Sequence, residues 1–147
     1  MRVRLHVLFV CENSYACGRF QKSLEREGCQ LLVASNSDKA VKTLLTASSV
    51  DAVLIHQDDL ARGSTVASGL KRIRPSLPAL LLTASWPSNG ALPLGIDALC
   101  YAAALNRRVA HDVTRFIRRL LTEAPHQMLD QAGLKRRLIP RSSNYLN

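Results

Sequence analysis

Asp51-Ala-Val-Leu-Ile-His56 is a short apolar run that opens on an acid and closes on an imidazole. Four consecutive apolar residues without polar alternation describe a strand covered on both faces, as in a parallel sheet between helical layers. The same pattern recurs along the chain. Val3–Val10 and Ala79–Thr83 read as further buried strands, and Gln30–Ala34 and Ala98–Ala102 complete a set of five. Between them lie helical stretches. Glu12, Asn13 and Ser14 lead into a helix with Phe20 and Leu24 on one face, broken at Gly28. Asn36-Ser-Asp38 supplies capping groups for a second, containing Ala40, Val41, Leu44 and Leu45. Ser68–Arg74 completes a third, stopped by Pro75 and Pro78. Val109–Leu121 is the last, with Val109, Val113, Phe116, Ile117, Leu120 and Leu121 on its apolar side and arginines opposite.

Strands alternating with helices predict an α/β protein: a flavodoxin-like, doubly wound, five-stranded parallel sheet of order 2-1-3-4-5 with helices on both faces. Chemistry in such a fold sits at the C-terminal ends of the strands. Here those ends present Cys11 and Glu12, His56, Thr83 and Ala84, and Ala102.

The 147 residues are enough for one domain with its own core, and 47% hydrophobic content excludes wholesale disorder. No apolar run reaches the roughly 20 residues of a membrane span. The opening Met-Arg-Val-Arg-Leu-His-Val-Leu-Phe-Val superficially suggests a signal peptide, but it is short and is needed as the first strand. A cytoplasmic location is expected. Cys11, Cys17, Cys29 and Cys100 show no CxxC or zinc-type spacing, so four small, partly buried free thiols are expected. The net charge of +9 is uneven: residues 104–147 carry 9 Lys/Arg against 3 Asp/Glu, whereas residues 1–103 carry 11 against 8. One folded domain is therefore expected over residues 1–124, and a basic tail or short helical extension over 125–147.

Several segments carry a family likeness. Leu24-Glu-Arg-Glu-Gly-Cys29 through Ala34-Ser35, Pro75-Ser-Leu-Pro-Ala-Leu-Leu-Leu-Thr-Ala84 and Gly95-Ile-Asp97 follow one another in the order and spacing of a response-regulator receiver domain. Residues 3–122 thus resemble that family, as a degenerate, pseudo-receiver type. The resemblance implies a phosphoacceptor aspartate where His56 stands, and an acidic magnesium-binding pair where Cys11-Glu12 stands. It further implies a phosphate-sensing threonine, retained as Thr83, and a Lys-Pro where Ala102-Ala103 stands. Acyl-phosphate chemistry needs a carboxylate nucleophile, a hard cation on oxygen ligands, and a stabilising positive charge. Cys11, Glu12, His56, Thr83 and Ala102 therefore read as a vestigial phosphorylation pocket, with no enzymatic activity, metal or cofactor expected. A transition-metal set of Glu12, His56 and Asp58 or Asp59 is the weaker alternative, as is a shift of the acceptor role to Asp58 or Asp59.

The signalling face departs from the family as well. Gly95 follows Thr83 by only 12 positions, and Pro87, Gly90 and Pro93 lie between them, so the family's fourth helix is expected to be shortened or irregular. The loop between His56 and the third helix is read as longer than usual. Val7-Leu-Phe-Val-Cys11, with Asn13 and Cys17, also resembles the start of low-molecular-weight tyrosine phosphatases. Their Cys-x5-Arg loop is not met, because Cys17 occupies the arginine position and the nearest arginine is Arg19.

The expected function is a phosphorylation-independent interaction or dimerisation module in bacterial signal transduction or transcription regulation. Its partner, a protein or a second copy, would meet the face of the family's fourth helix, fifth strand and last helix. The residues expected there are Trp86, Leu92, Leu94, Tyr101, Arg107, Arg108, Arg115, Arg118 and Arg119. Two alternatives stand beside it. One is a nucleic-acid-associated regulator using Lys135, Arg136, Arg137 and Arg141. The other is a small-ligand sensor at the former acidic pocket.

Overall fold

The computed structural model describes residues 4–122. Its elements run β1 (Leu5–Cys11), α1 (Ser14–Arg26), β2 (Cys29–Ala34), α2 (Ser37–Thr46), β3 (Ala52–His56), α3 (Leu60–Ile73), β4 (Ala79–Thr83), β5 (Ala98–Tyr101) and α4 (Arg107–Thr122). All strands pair in parallel in the order β2-β1-β3-β4-β5, the topology the sequence predicts.

The unbroken apolar character of the central strands follows from two cores, one on each face of the sheet. Along β1, Val7 and Phe9 enter the first core, while Leu8 and Val10 enter the second. Successive side chains of a strand point to opposite faces, so both sets must be apolar. α1 and α4 close the first core with Phe20, Leu24, Val113 and Ile117. α2 and α3 close the second with Leu44, Ala67 and Leu70. Each fully buried side chain of this size contributes about 1.5–3 kcal/mol relative to exposure.

Local chemistry fixes the helix starts. Asn36 Oδ1 accepts from the Lys39 amide at 2.9 Å and starts α2. Asp59 Oδ1 accepts from the amides of Ala61 and Arg62 at 3.0 and 3.2 Å and starts α3. α3 therefore begins at Leu60, and the segment after β3 is only Gln57–Asp59. The longer loop expected from the sequence is corrected, because the Asp59 cap carries helix through Ala61–Ala67, a stretch of weak apolar periodicity.

Between β4 and β5 the described residues form no helix. The chain turns at Gly90, whose amide donates to Pro87 O, and again where the Ile96 amide donates to Pro93 O. Gly90 and Gly95 adopt φ of 70° and 83°. Prolines without a donor and glycines in left-handed conformations account for the irregular segment expected here. Leu92 and Ile96 fold back onto the second core. Asp97 then sets the start of β5: its Oδ2 accepts from the Ala79 amide at 2.8 Å and pairs with Lys71 of α3.

A β-carbon on Gly95 would stand 2.8 Å from Ser68 Oγ and 3.1 Å from the Ser68 amide nitrogen, whereas one on Gly90 would meet nothing within 4 Å. Gly90→Ala is expected to lose about 1–2 kcal/mol from its backbone conformation alone. Gly95→Ala should lose more, because α3 must also move. Urea unfolding of the two variants checks the order.

Candidate functional site

The strand order reverses beside β1, and the crevice at such a point is where doubly wound sheets place their ligands. Parallel register sets Cys11, the last residue of β1, opposite His56, the last residue of β3. Two residues after β1 the chain enters α1, whose first turn is closed by the Cys17 amide donating to Asn13 O at 3.2 Å. Cys17, Phe20 and Leu24 recur at helical spacing on the inward face of α1. That face returns over β1, so Cys17 meets Cys11.

The two cysteines form a disulfide, with Cα atoms 6.8 Å apart. The expectation of four free thiols is thereby corrected for this pair, while Cys29 and Cys100 form no disulfide. The missing CxxC motif misled because proximity comes from a strand end and one turn of helix. Cys17 was overlooked as a site residue; the Cys17–Phe20–Leu24 periodicity was the available signal. The disulfide also removes Cys11 as a free thiol nucleophile, which disposes of the phosphatase-like reading in this state.

His56 completes the cluster. Its Nδ1 lies 3.7 Å from Cys11 Sγ and 3.8 Å from Cys17 Sγ. Burial pushes the imidazole pKa below its ordinary 6.5, and the Asp58 carboxylate opposes that shift. At neutral pH the ring is therefore uncharged, with a lone pair on one nitrogen. Burial likewise pushes the Cys29 thiol up, against the opposing influence of its contact with Thr114.

The neighbouring carboxylates have other work. Glu12 pairs with Arg62 of α3 at 3.2 Å. Asp58 Oδ1 accepts from the Ala84 amide at 2.7 Å, and Asp59 caps α3. The set Glu12, His56 and Asp58 or Asp59 is not assembled around one point. Among the described residues, the ligand-type atoms that converge are those of Cys11, Cys17 and His56, all within 4.8 Å of one another, with the two sulfurs joined in the disulfide. Thr83 is fully buried, and its Oγ1 accepts from the Ser85 amide at 3.0 Å. Ala102 is buried at the end of β5, its amide donating to Thr83 O. Magnesium does not fit this donor set: a hard cation requires several oxygen ligands, and the strand ends offer sulfur, imidazole, a methyl group and the single Thr83 hydroxyl, which already accepts from the Ser85 amide.

On the adjoining surface, Trp86 is 43% exposed and packs on Tyr101 with ring centroids 6.2 Å apart. Leu94 is 82% exposed, whereas Leu92 packs on the second core and does not belong to an open apolar patch. Arg107, Arg108, Arg115 and Arg119 are exposed on α4. Arg118 is half-buried, its Nη2 2.7 Å from where a β-carbon on Gly28 would stand, so it faces the α1–β2 turn. Lys135, Arg136, Arg137 and Arg141 lie outside the described residues. No helix among the described residues is long and apolar enough to cross a membrane.

No family model and no curated protein match the chain. Solved structures do. A two-component response regulator from Clostridium difficile is similar with TM-score 0.67 at 16% identity, covering 82% of this chain and 100% of its own. A CheY-like receiver domain protein from Methanospirillum hungatei gives 0.64 at 17%, covering 80% and 94%. An orphan response regulator of H. pylori gives 0.62 at 18%, covering 82% and 99%. At these identities the likeness is one of fold, and the fold is that of response-regulator receiver domains.

Two measurements follow from the site. The disulfide closes a loop with sequence separation 6. Its reduction, with a chelator present, should lower stability to urea by about 2 kcal/mol, and the double variant Cys11→Ser, Cys17→Ser should be insensitive to reductant. Because the folded-state pKa of His56 is depressed, the unfolded chain takes up this proton first as pH falls. Stability is then lost below about pH 6.5 and levels off beneath the folded pKa. His56→Gln should flatten that part of the acid limb, read as urea midpoints between neutral pH and about pH 5.

Proposed function

We propose that this chain is a phosphorylation-independent module with a receiver fold, acting by binding a protein partner or a second copy of itself in bacterial signalling or transcription regulation. The observation that carries this reading is His56 at the end of β3, closed in by the Cys11–Cys17 disulfide, where a receiver would present its acceptor carboxylate. An imidazole there cannot form an acyl phosphate, and Ala102 supplies no cation for the product. A solved structure described as an atypical orphan response regulator with a phosphorylation-independent regulatory mechanism is similar, with TM-score 0.61 at 17% identity, covering 78% of this chain and 96% of its own.

The binding surface in this reading is β5, the exposed arginines of α4, and the segment after β4 with Trp86 and Leu94. Residues 1–124 form the module and 125–147 a basic extension. The alternation of Arg108, Arg115 and Arg119 along one side of α4 also suits phosphate groups. Salt-dependent DNA or RNA binding lost on deleting residues 126–147 would favour the nucleic-acid reading instead.

Trp86 is the sole tryptophan and packs on Tyr101 at the end of β5, so its fluorescence reports on this face. Acetyl phosphate or beryllofluoride with magnesium is expected to leave that fluorescence unchanged. A saturable change abolished by His56→Ala would overturn the proposal. Light scattering across protein concentration, comparing the native chain with Arg115→Glu, tests self-association through α4.

A further inference from the structure

The cluster at the ends of β1 and β3 has a second chemical state. A dithiol reductant, such as a reduced CxxC protein, can transfer two electrons and two protons to the Cys11–Cys17 disulfide, leaving two thiols here and a disulfide in the reductant. We infer that in this reduced state Cys11, Cys17 and His56 form a three-ligand site for one thiophilic divalent cation of the zinc class.

The distances support it. A tetrahedral ion with metal–sulfur bonds of about 2.3 Å and metal–nitrogen bonds of about 2.0–2.1 Å sets its sulfur and nitrogen ligands about 3.6 Å apart. The observed separations of His56 Nδ1 from the two sulfurs are 3.7 and 3.8 Å. The imidazole already stands where such a site needs it, equidistant from both sulfurs. Only the sulfurs have to separate, to about 3.8 Å. Rotation about the Cα–Cβ bonds can do this, because the Cα atoms are 6.8 Å apart.

The scaffold favours a single arrangement. Cys11 and His56 are fixed by strand register, and Cys17 by the packing of α1. Cys11 and Cys17 are buried, which excludes competing water from two of the three ligands. Two thiolates and an imidazole are a soft donor set, suited to zinc and its analogues and unsuited to magnesium or calcium. Binding releases the two thiol protons to solvent, and two thiolates balance the charge of a divalent ion. Three protein ligands leave a fourth position for water or a donor from another molecule. The oxidised protein has no thiolates to offer, so disulfide and metal exclude one another.

Cobalt(II), added anaerobically to the full chain, is a direct probe. The reduced protein should show thiolate-to-cobalt charge-transfer and tetrahedral d–d bands that saturate at a single equivalent and are displaced by zinc(II). The oxidised protein should show neither. Cys17→Ser and His56→Ala should lose or shift the bands, while Cys29→Ala with Cys100→Ala should keep them. X-ray absorption at the zinc edge reads the ligands without any variant, and two sulfurs with one imidazole are expected. Absence of the bands in reduced, folded protein overturns the inference. So do bands that survive Cys17→Ser unchanged, bands that need Cys29 or Cys100, or a sulfur-free shell. The outcome is independent of partner binding, since a chain that neither dimerises nor finds a partner can still bind cobalt.

Discussion

The parallel pairing of β1 with β3 is the constraint on which everything else in this molecule rests. It places the central strand and one of its two neighbours in register at their C-terminal ends, so that Cys11 and His56 become neighbours although they stand 45 positions apart in sequence. It also forces both faces of those strands to be apolar. That demand recruits α1 and α4 to one side of the sheet and α2 and α3 to the other. A one-residue slip of β3 would exchange the two cores and carry His56 away from the sulfurs. Fold and site are thus two readings of one set of backbone hydrogen bonds.

Most of the architecture was legible because the core demand is written residue by residue. Runs such as Val53–Ile55 and Ala79–Leu82 are strands of a doubly covered sheet and little else. Pro87, Gly90 and Pro93 likewise announce the irregular segment after β4. The start of α3 was less clear, because its signal is one capping carboxylate ahead of small residues.

The site was half legible. Cys11, His56, Thr83 and Ala102 could be placed by their positions at strand ends. The partnership of Cys11 with Cys17 could not be read from spacing rules drawn up for loops, since it depends on a helix folding back on the strand that precedes it. The roles of Glu12, Asp58 and Asp59 were likewise hidden. Each is a carboxylate near the crevice in sequence, but Arg62, the Ala84 amide and the start of α3 claim them in space. Leu92 and Arg118 were assigned to the surface by residue type, and tertiary packing turns them inward.

The segment joining β4 to β5 gives the domain a particular place in population arithmetic. Where a helix can occupy two positions, a partner selecting one of them binds with its intrinsic affinity reduced by the fraction of molecules already in that position. Here the connection is a chain of turns, with Leu92 and Ile96 set into the core and Asp97 held by Ala79 and Lys71. It contains no helix among the described residues that could move as a rigid lever. On the proposed reading, a partner that met this face would find no such lever to select. Under that proposal, occupancy would follow the abundance of the two molecules rather than the position of a helix.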